Sequence, residues 1–212
     1  TDGYKKILSY WRGETEKPSV DEAFSIMIDL ASKTNSSLCT YQKDVPDAQI
    51  RQIKTDQTIP YSLHQIPGII FMSDYDLGRN GIAYYDVDSA NYQQSSGYFQ
   101  SWNSGWVYRN DGVDIEKNTD NINSNGFHIG FINRGEWLNY TLSVSETGVY
   151  SMNARIASIE DGGEFHIEMD GEGVTRSLSV ESSSGWDQFI SQSYNDIFLE
   201  KGNQTLTIKF SG

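Results

Sequence analysis

The chain has 212 residues, of which 37% are hydrophobic and 13% aromatic, so it can bury a sizeable core. Its formal net charge is −13, and residues 65–212 contribute most of it with 20 acidic against 8 basic side chains. A surface this acidic repels nucleic acids and anionic membranes and favours neutral partners. The single cysteine, Cys39, excludes an intrachain disulfide. No apolar run reaches the roughly 18–20 residues that a membrane helix needs.

The first sixty residues carry one clear helical signal, over Pro18–Thr34. Ser19 followed by Glu22 forms a capping box, and apolar side chains then recur at helical spacing. One amphipathic helix has no partner here that could cover its apolar face. We therefore expect residues 1–60 to be the helical tail of a preceding domain, or an extension that packs on the next one. Residues 61–68 end in Pro-Gly, which indicates a linker.

Beyond Gly68 the pattern changes to short alternating runs separated by Gly, Asn, Asp and Ser, which is typical of strands and turns. Residues 137–144 and 150–156 alternate on either side of a turn, which predicts a β-hairpin. Similar runs follow to the end of the chain. Together they predict an all-β fold over residues 69–212, a β-sandwich of jelly-roll type.

Residues 91–110 form a long stretch in which aromatic side chains are spaced by small polar ones without a clean period. Surface loops of this kind often carry function. Tyr98, Trp102 and Trp106 are therefore candidate ligand contacts, and the alternative is that they plug one edge of the sandwich.

Signatures of catalysis are absent from the sequence. His64, His128 and His166 lie in distant segments, without the spacing of a metal site. No Gly-x-Ser-x-Gly elbow and no glycine-rich phosphate loop occur. Residues 111–116 also lack the Glu-x-Asp-x-x-Glu spacing of jelly-roll glucan hydrolases. The composition instead favours recognition of sugars, which bind through aromatic stacking and polar rims.

Two runs carry a family resemblance: residues 125–140, Asn-Gly-Phe-His-Ile-Gly-Phe-Ile-Asn-Arg-Gly-Glu-Trp-Leu-Asn-Tyr, and the Ser-Gly-Trp step at 184–186. With the Ile-Pro-Gly run at 66–76 and the Val-Asp-Ile-Glu run at 113–116, this ordered series resembles the family 6 carbohydrate-binding modules. These are β-jelly-roll domains attached to secreted polysaccharide hydrolases. The resemblance covers about residues 66–212.

The resemblance implies a binding cleft in which a sugar lies between two aromatic side chains. Trp186 matches one of them, and Phe131 stands where the family usually has Tyr or Trp. Glu116 matches a polar position at the edge of the cleft. For Phe131 and Trp186 the alternative is a place in the core, and for Glu116 a solvated carboxylate.

The resemblance also implies departures from the family. The family usually holds a structural calcium through two glutamates in its first strand, where this chain has Phe71 and Ser73. We expect calcium there to be weakened or absent, although Asp74 could still support it. The chain reaches Gly212 where the closing strand would begin, so we expect the sandwich to lack its last strand or to replace it with another segment.

The implied function is non-catalytic binding of a neutral polysaccharide such as a β-glucan, xylan or agarose-type galactan. The module would be extracellular and would hold an attached hydrolase on its substrate. One alternative is a jelly-roll glycosidase or lyase that uses a carboxylate pair among Asp114, Glu116 and Glu136. Another is an adhesion or structural sandwich that binds protein.

Overall fold

The computed structural model describes residues 2–35, 37, 41–87, 108–109 and 111–212. The chain divides into two compact units, Thr1–Gln42 and Lys43–Gly212. Tyr98, Trp102 and Trp106 lie outside the described residues, so their role as candidate contacts stays a prediction.

The first unit consists of two helices, α1 (Asp2–Trp11) and α2 (Val20–Lys33). Ser19 caps α2 as predicted, because its Oγ accepts a hydrogen bond from the backbone amide of Glu22 at 3.2 Å. Among the described residues, no helix combines the length and the apolar character needed to cross a membrane.

The second unit begins with the short helix α3 (Asp44–Pro46) and a π-helical turn over Asp47–Arg51. Nη2 of Arg51 donates to the backbone carbonyl of Leu77 at 3.1 Å, and Ile59 and Leu77 exchange backbone hydrogen bonds. These contacts hold residues 43–60 against the start of the sandwich.

Eleven strands and a short 3₁₀ helix, Met72–Asp74, follow in the described part of this unit. The strands are β1 (His64–Ile66), β2 (Tyr84–Tyr85), β3 (Ile115–Lys117), β4 (Phe127–Ile129), β5 (Trp137–Val144), β6 (Gly148–Ile156), β7 (Gly163–Met169), β8 (Glu172–Gly173), β9 (Leu178–Val180), β10 (Ile190–Leu199) and β11 (Gly202–Phe210). The large sheet has the order β1-β5-β11-β7-β8, with β2 also paired to β5 and β9 to β7. β10 pairs with β6, and β3 pairs with β4.

Alternation along the strands positions the core. In β5, Leu138, Tyr140, Leu142 and Val144 are all buried. From the opposite layer, Tyr194 of β10 meets Phe165 of β7 edge to face, with ring centroids 5.2 Å apart. The all-β sandwich predicted from the sequence, preceded by a short helical segment, is therefore confirmed.

The predicted hairpin between residues 137–144 and 150–156 is wrong. β5 lies in the large sheet, whereas β6 pairs with β10 in the other layer. The turn at 145–147 therefore carries the chain from one layer to the other. Alternation shows which face of a strand is buried, but both layers bury a face against the same core, so the pattern could not identify the pairing partner.

Candidate functional site

The β3–β4 hairpin places the predicted carboxylate. Ile115 of β3 is fully buried, and the alternation of a strand therefore turns the next side chain, Glu116, to the opposite face. Glu116 lies directly opposite His128 of β4, and its Oε2 is 3.7 Å from Nε2 of His128. The Glu116 side chain keeps 37% of its surface exposed, which leaves its carboxylate open to a ligand.

Phe131 follows this hairpin and points away from the core, with 63% of its surface exposed. Its φ is +49°, a left-handed conformation that is rare for a bulky side chain. Gly130 donates to the backbone carbonyl of Asp114 at 3.0 Å, and Nδ2 of Asn133 donates to the carbonyl of Phe131 at 3.0 Å. These hydrogen bonds hold the strained backbone that carries the exposed ring. Residues with strained backbone cluster at ligand sites. The core alternative for Phe131 is wrong.

Trp186 lies on the loop between β9 and β10 and is 65% exposed. The loop is anchored on one side, because Ser183 donates its backbone amide to Ser158 at 2.8 Å and accepts the amide of Ser158 on its Oγ at 2.8 Å. Within the loop, the backbone amide of Gln188 donates to the carbonyl of Gly185 at 3.3 Å. The core alternative for Trp186 is also wrong.

Two contacts bring the Trp186 loop to the β3–β4 hairpin. The ring of His128 packs edge to face on Phe189, with centroids 5.5 Å apart. Asp120 lies just after β3. Nε and Nη2 of Arg155, on β6, donate hydrogen bonds to its two carboxylate oxygens at 2.8 and 3.0 Å. The same guanidinium donates to the carbonyl of Phe189 at 2.9 Å. The elements that carry the three predicted site residues are therefore joined at one place.

Sequence reasoning missed His128, Arg155 and Asp120 as parts of this arrangement. His128 was considered only as a metal ligand. The pairing of Glu116 with His128 was not predicted, because nine residues, 118–126, separate β3 from β4 and show no hairpin pattern. The alternation of Ile115 with Glu116 was the one signal that could have indicated which face the carboxylate takes.

The family model for carbohydrate binding module family 6 matches residues 107–212, half of the chain. The chain belongs to this family. As a family 6 module it is a carbohydrate-binding β-sandwich, as the resemblance implied.

Among curated proteins, the chain is 28% identical over 82 residues to the beta-agarase AgaO of Microbulbifer thermotolerans. The match covers 38% of this chain but only 7% of the agarase. Among solved structures, the CsCBM6-3 module of Clostridium stercorarium is 17% identical with a TM-score of 0.48, over 71% of this chain and 89% of that one. The C-terminal family 6 module of LamC, a laminarinase from Zobellia galactanivorans, is 29% identical with a TM-score of 0.42, over 47% of this chain and 79% of that one.

Two aromatics of the family 6 pattern fall on β5 with opposite orientations. Tyr140 is fully buried and belongs to the core, and its hydroxyl donates to the carbonyl of Met72 at 2.8 Å. Trp137 lies on the outer face of the large sheet, between Tyr85 of β2 and Lys209 of β11. It is partly exposed and belongs to a different surface from Trp186.

The carboxylates of the enzyme alternative have different surroundings. Glu136 is buried, and its two oxygens accept the backbone amides of Val87 at 3.2 Å and Asn133 at 2.8 Å. Its carboxylate therefore holds two chain segments together. Asp114 is also buried, whereas Glu116 is partly open to solvent.

The residues at the family's calcium position do not fit the ion. Phe71 offers no side-chain oxygen, and Oγ of Ser73 accepts a hydrogen bond from Nδ2 of Asn125 at 2.9 Å. Asp74 accepts the hydroxyl of Tyr108. The segment Met72–Asp74 is a short 3₁₀ helix, and no cluster of three or more His, Cys, Asp or Glu side chains occurs in the described part of the chain. Calcium needs six to eight oxygen ligands.

Chelation should therefore leave the stability of this module unchanged. We expect the midpoint of thermal unfolding to shift by less than about 2 °C when EDTA is added to protein purified with calcium, because no bound ion is lost. Differential scanning calorimetry with and without EDTA measures the shift. A fall of more than about 5 °C, restored by calcium, would show that an ion site exists.

Proposed function

We propose that Phe131 and Trp186 form the two stacking surfaces of a cleft that binds a neutral polysaccharide, with Glu116 at its edge. The observation that carries the proposal is the exposure of two large aromatic rings, 63% and 65%, on neighbouring anchored segments. Exposed rings on fixed backbone are costly to leave in water, and they suit the flat C–H faces of a sugar ring.

The polar side of the cleft fits sugar hydroxyls. The half-exposed carboxylate of Glu116 can accept hydrogen bonds from two hydroxyls of one sugar. Each stacking contact contributes on the order of 1 kcal/mol beyond area burial. Binding in the micromolar to millimolar range is therefore expected for a short oligosaccharide.

The charge of the module supports a neutral polymer. Residues 65–212 carry 20 acidic and 8 basic side chains, which repel sulfated or uronate-rich chains. We propose a β-glucan, xylan or agarose-type galactan as the ligand, and an extracellular location. We also propose that the module holds an attached hydrolase on this polymer. The assignment of residues 1–60 to the helical tail of a preceding domain or to a packing extension, of 61–68 to a linker and of 69–212 to the module remains part of that proposal.

The function is tested by electrophoresis in gels that contain lichenan, laminarin, xylan or agarose, with parallel assays of reducing-sugar release. The proposal expects retardation by at least one neutral polymer and no release of reducing ends. Release of reducing ends would support the glycosidase alternative. Full mobility in every gel, without hydrolysis, would leave protein binding as the better explanation.

Arg155 gives a more specific expectation for the same cleft. Replacing Arg155 with glutamine removes the charged bonds that join Asp120 to the Trp186 loop. The loop should lose its fixed position, and the dissociation constant should rise roughly ten-fold, equivalent to about 1.4 kcal/mol. Isothermal titration calorimetry with the oligosaccharide of the retarding polymer measures this.

Arg176→Gln is the matched control, because it makes the same change of charge at an exposed position. It should bind like the unmodified chain. Equal affinities for the two variants would show that the Arg155 contacts do not order the cleft.

A further inference from the structure

We propose that His128 is a positioning residue of the sugar cleft, which joins Glu116 to the Trp186 loop and weakens sugar binding when its imidazole takes up a proton. This inference rests on the proposed function, since it concerns the same cleft. It assigns a role to a side chain that touches both walls but is itself mostly covered.

The first wall is the β3–β4 hairpin. Nε2 of His128 faces Oε2 of Glu116 at 3.7 Å, slightly beyond hydrogen-bonding distance. A Cβ at Gly130 would lie 3.4 Å from this Oε2 and 3.7 Å from Nε2 of His128. The glycine therefore leaves open the space beside the pair, next to Phe131. A neutral imidazole at this distance orients the carboxylate of Glu116 without a tight ion pair. The carboxylate therefore stays available to sugar hydroxyls.

The second wall is the Trp186 loop. The ring of His128 meets Phe189 edge to face at 5.5 Å, three residues beyond Trp186. The charged groups that face the ring are Glu116 from β3 and Asp187 from the loop, the residue directly after Trp186. The charges of both carboxylates, one from each wall of the cleft, therefore act on the ring of His128.

The environment of His128 keeps the ring neutral under ordinary conditions. Only 19% of its side-chain surface is exposed, and its buried Nδ1 has no hydrogen-bond partner among the described residues. Burial lowers the pKa of His128 below the usual 6.5, against the opposing effect of Glu116 and Asp187. A protonated ring would place a buried N–H without an acceptor and would draw both carboxylates towards itself.

Sugar binding and protonation of His128 are linked, and this linkage determines whether affinity rises or falls with pH. A stacked sugar removes more water from the ring, and hydroxyls that donate to Glu116 reduce the negative charge that supports the imidazolium. Both effects make the pKa of His128 lower in the complex than in the free module. Binding then releases a proton, so affinity is highest above the pKa of the free ring and decreases as the pH falls through it.

The test compares affinities at pH 7.5 and pH 5.5, a range in which imidazole is the ordinary side chain that titrates. Lichenan, laminarin, xylan and agarose are the probes, in affinity gels buffered at each pH. The unmodified chain should bind about two-fold more weakly at pH 5.5, because a pKa difference of about half a unit lowers affinity by at most about three-fold, a limit reached only well below both pKa values. His128→Gln keeps a nitrogen near Glu116 but loses the ring contact with Phe189 and cannot take up a proton, so it should bind about three-fold more weakly at pH 7.5 and show no pH effect.

A second variant and a control complete the design. His128→Phe keeps a ring against Phe189 and loses the nitrogen, so it should bind about three-fold more weakly at pH 7.5 and also show no pH effect. His166→Gln, on the outer face of the large sheet, should retain the full pH effect.

The outcomes separate this inference from the proposed function. A pH effect that persists in both His128 variants would overturn the inference, as would equal binding by the unmodified chain at the two pH values. In both of these cases retardation at pH 7.5 still supports the sugar-binding function. Failure of the unmodified chain to bind any of the four polymers at either pH would overturn the proposed function, and the inference with it.

Discussion

Replacement of Trp186 with alanine should abolish retardation of the module in polysaccharide gels. The side chain offers a large ring of which 65% is exposed, on a loop that is bonded to Ser158 at one end and to Arg155 at the other. Its loss removes stacking and burial worth roughly 2 kcal/mol or more, so the dissociation constant should rise about thirty-fold or more. Titration calorimetry of the variant with an oligosaccharide of the retarding polymer measures the change.

Trp11→Ala is a matched control for Trp186→Ala. Trp11 is 66% exposed and lies at the end of α1, in the first unit. Its removal should leave binding unchanged. Both variants should keep the thermal stability of the parent, because neither ring belongs to the core. If Trp186→Ala binds as tightly as Trp11→Ala, the cleft lies elsewhere on the module.

Replacement of Arg109 with methionine should lower the free energy of unfolding by about 3–5 kcal/mol, the usual cost of breaking a buried ion pair. Arg109 is fully buried, and it donates to Asp111 at 3.0 Å and to the carbonyls of Tyr75 and Asp76. Its guanidinium lies 3.6 Å from the centroid of the Tyr75 ring. Burial opposes the charge of Arg109, but Asp111 raises the pKa of Arg109 above its ordinary value, so the guanidinium stays charged. Methionine would leave Oδ2 of Asp111 and two carbonyls without the guanidinium donor, while the Tyr75 hydroxyl would still donate to Oδ1 of Asp111.

Urea unfolding with linear extrapolation measures the effect. Arg109→Lys keeps the charge but cannot reach all three acceptors, so it should lie between the parent and Arg109→Met. Arg176→Met, at an exposed position, should change the free energy by less than about 0.5 kcal/mol. A loss below about 1 kcal/mol for Arg109→Met would mean that the buried network contributes little to stability.

The strands were predictable from the sequence where one face is buried. The alternation of Leu138, Tyr140 and Leu142 fixes both the strand and its buried face, because a shift by one residue would expose the apolar set. The sheet to which each strand belongs was not predictable, as the wrong hairpin between β5 and β6 shows. Pairing depends on contacts between segments distant in the chain, and alternation does not contain this information.

The candidate site was predictable only in part. The family resemblance led to Phe131, Trp186 and Glu116, but the sequence left the core alternative open for the two aromatics. The exposure of Phe131 depends on its positive φ, which no local pattern indicates for a phenylalanine. The contacts of His128 with Glu116 and Phe189 join three segments, and only the folded chain brings them together.

The most direct test of the account is a map of amide chemical shifts in the ¹⁵N-labelled module as an oligosaccharide of the retarding polymer is added. We expect the largest changes at residues 115–117, 128–131 and 184–189, with an intact sugar in the same sample throughout. Changes confined to another surface, such as that around Trp137, or cleavage of the sugar, would contradict the account.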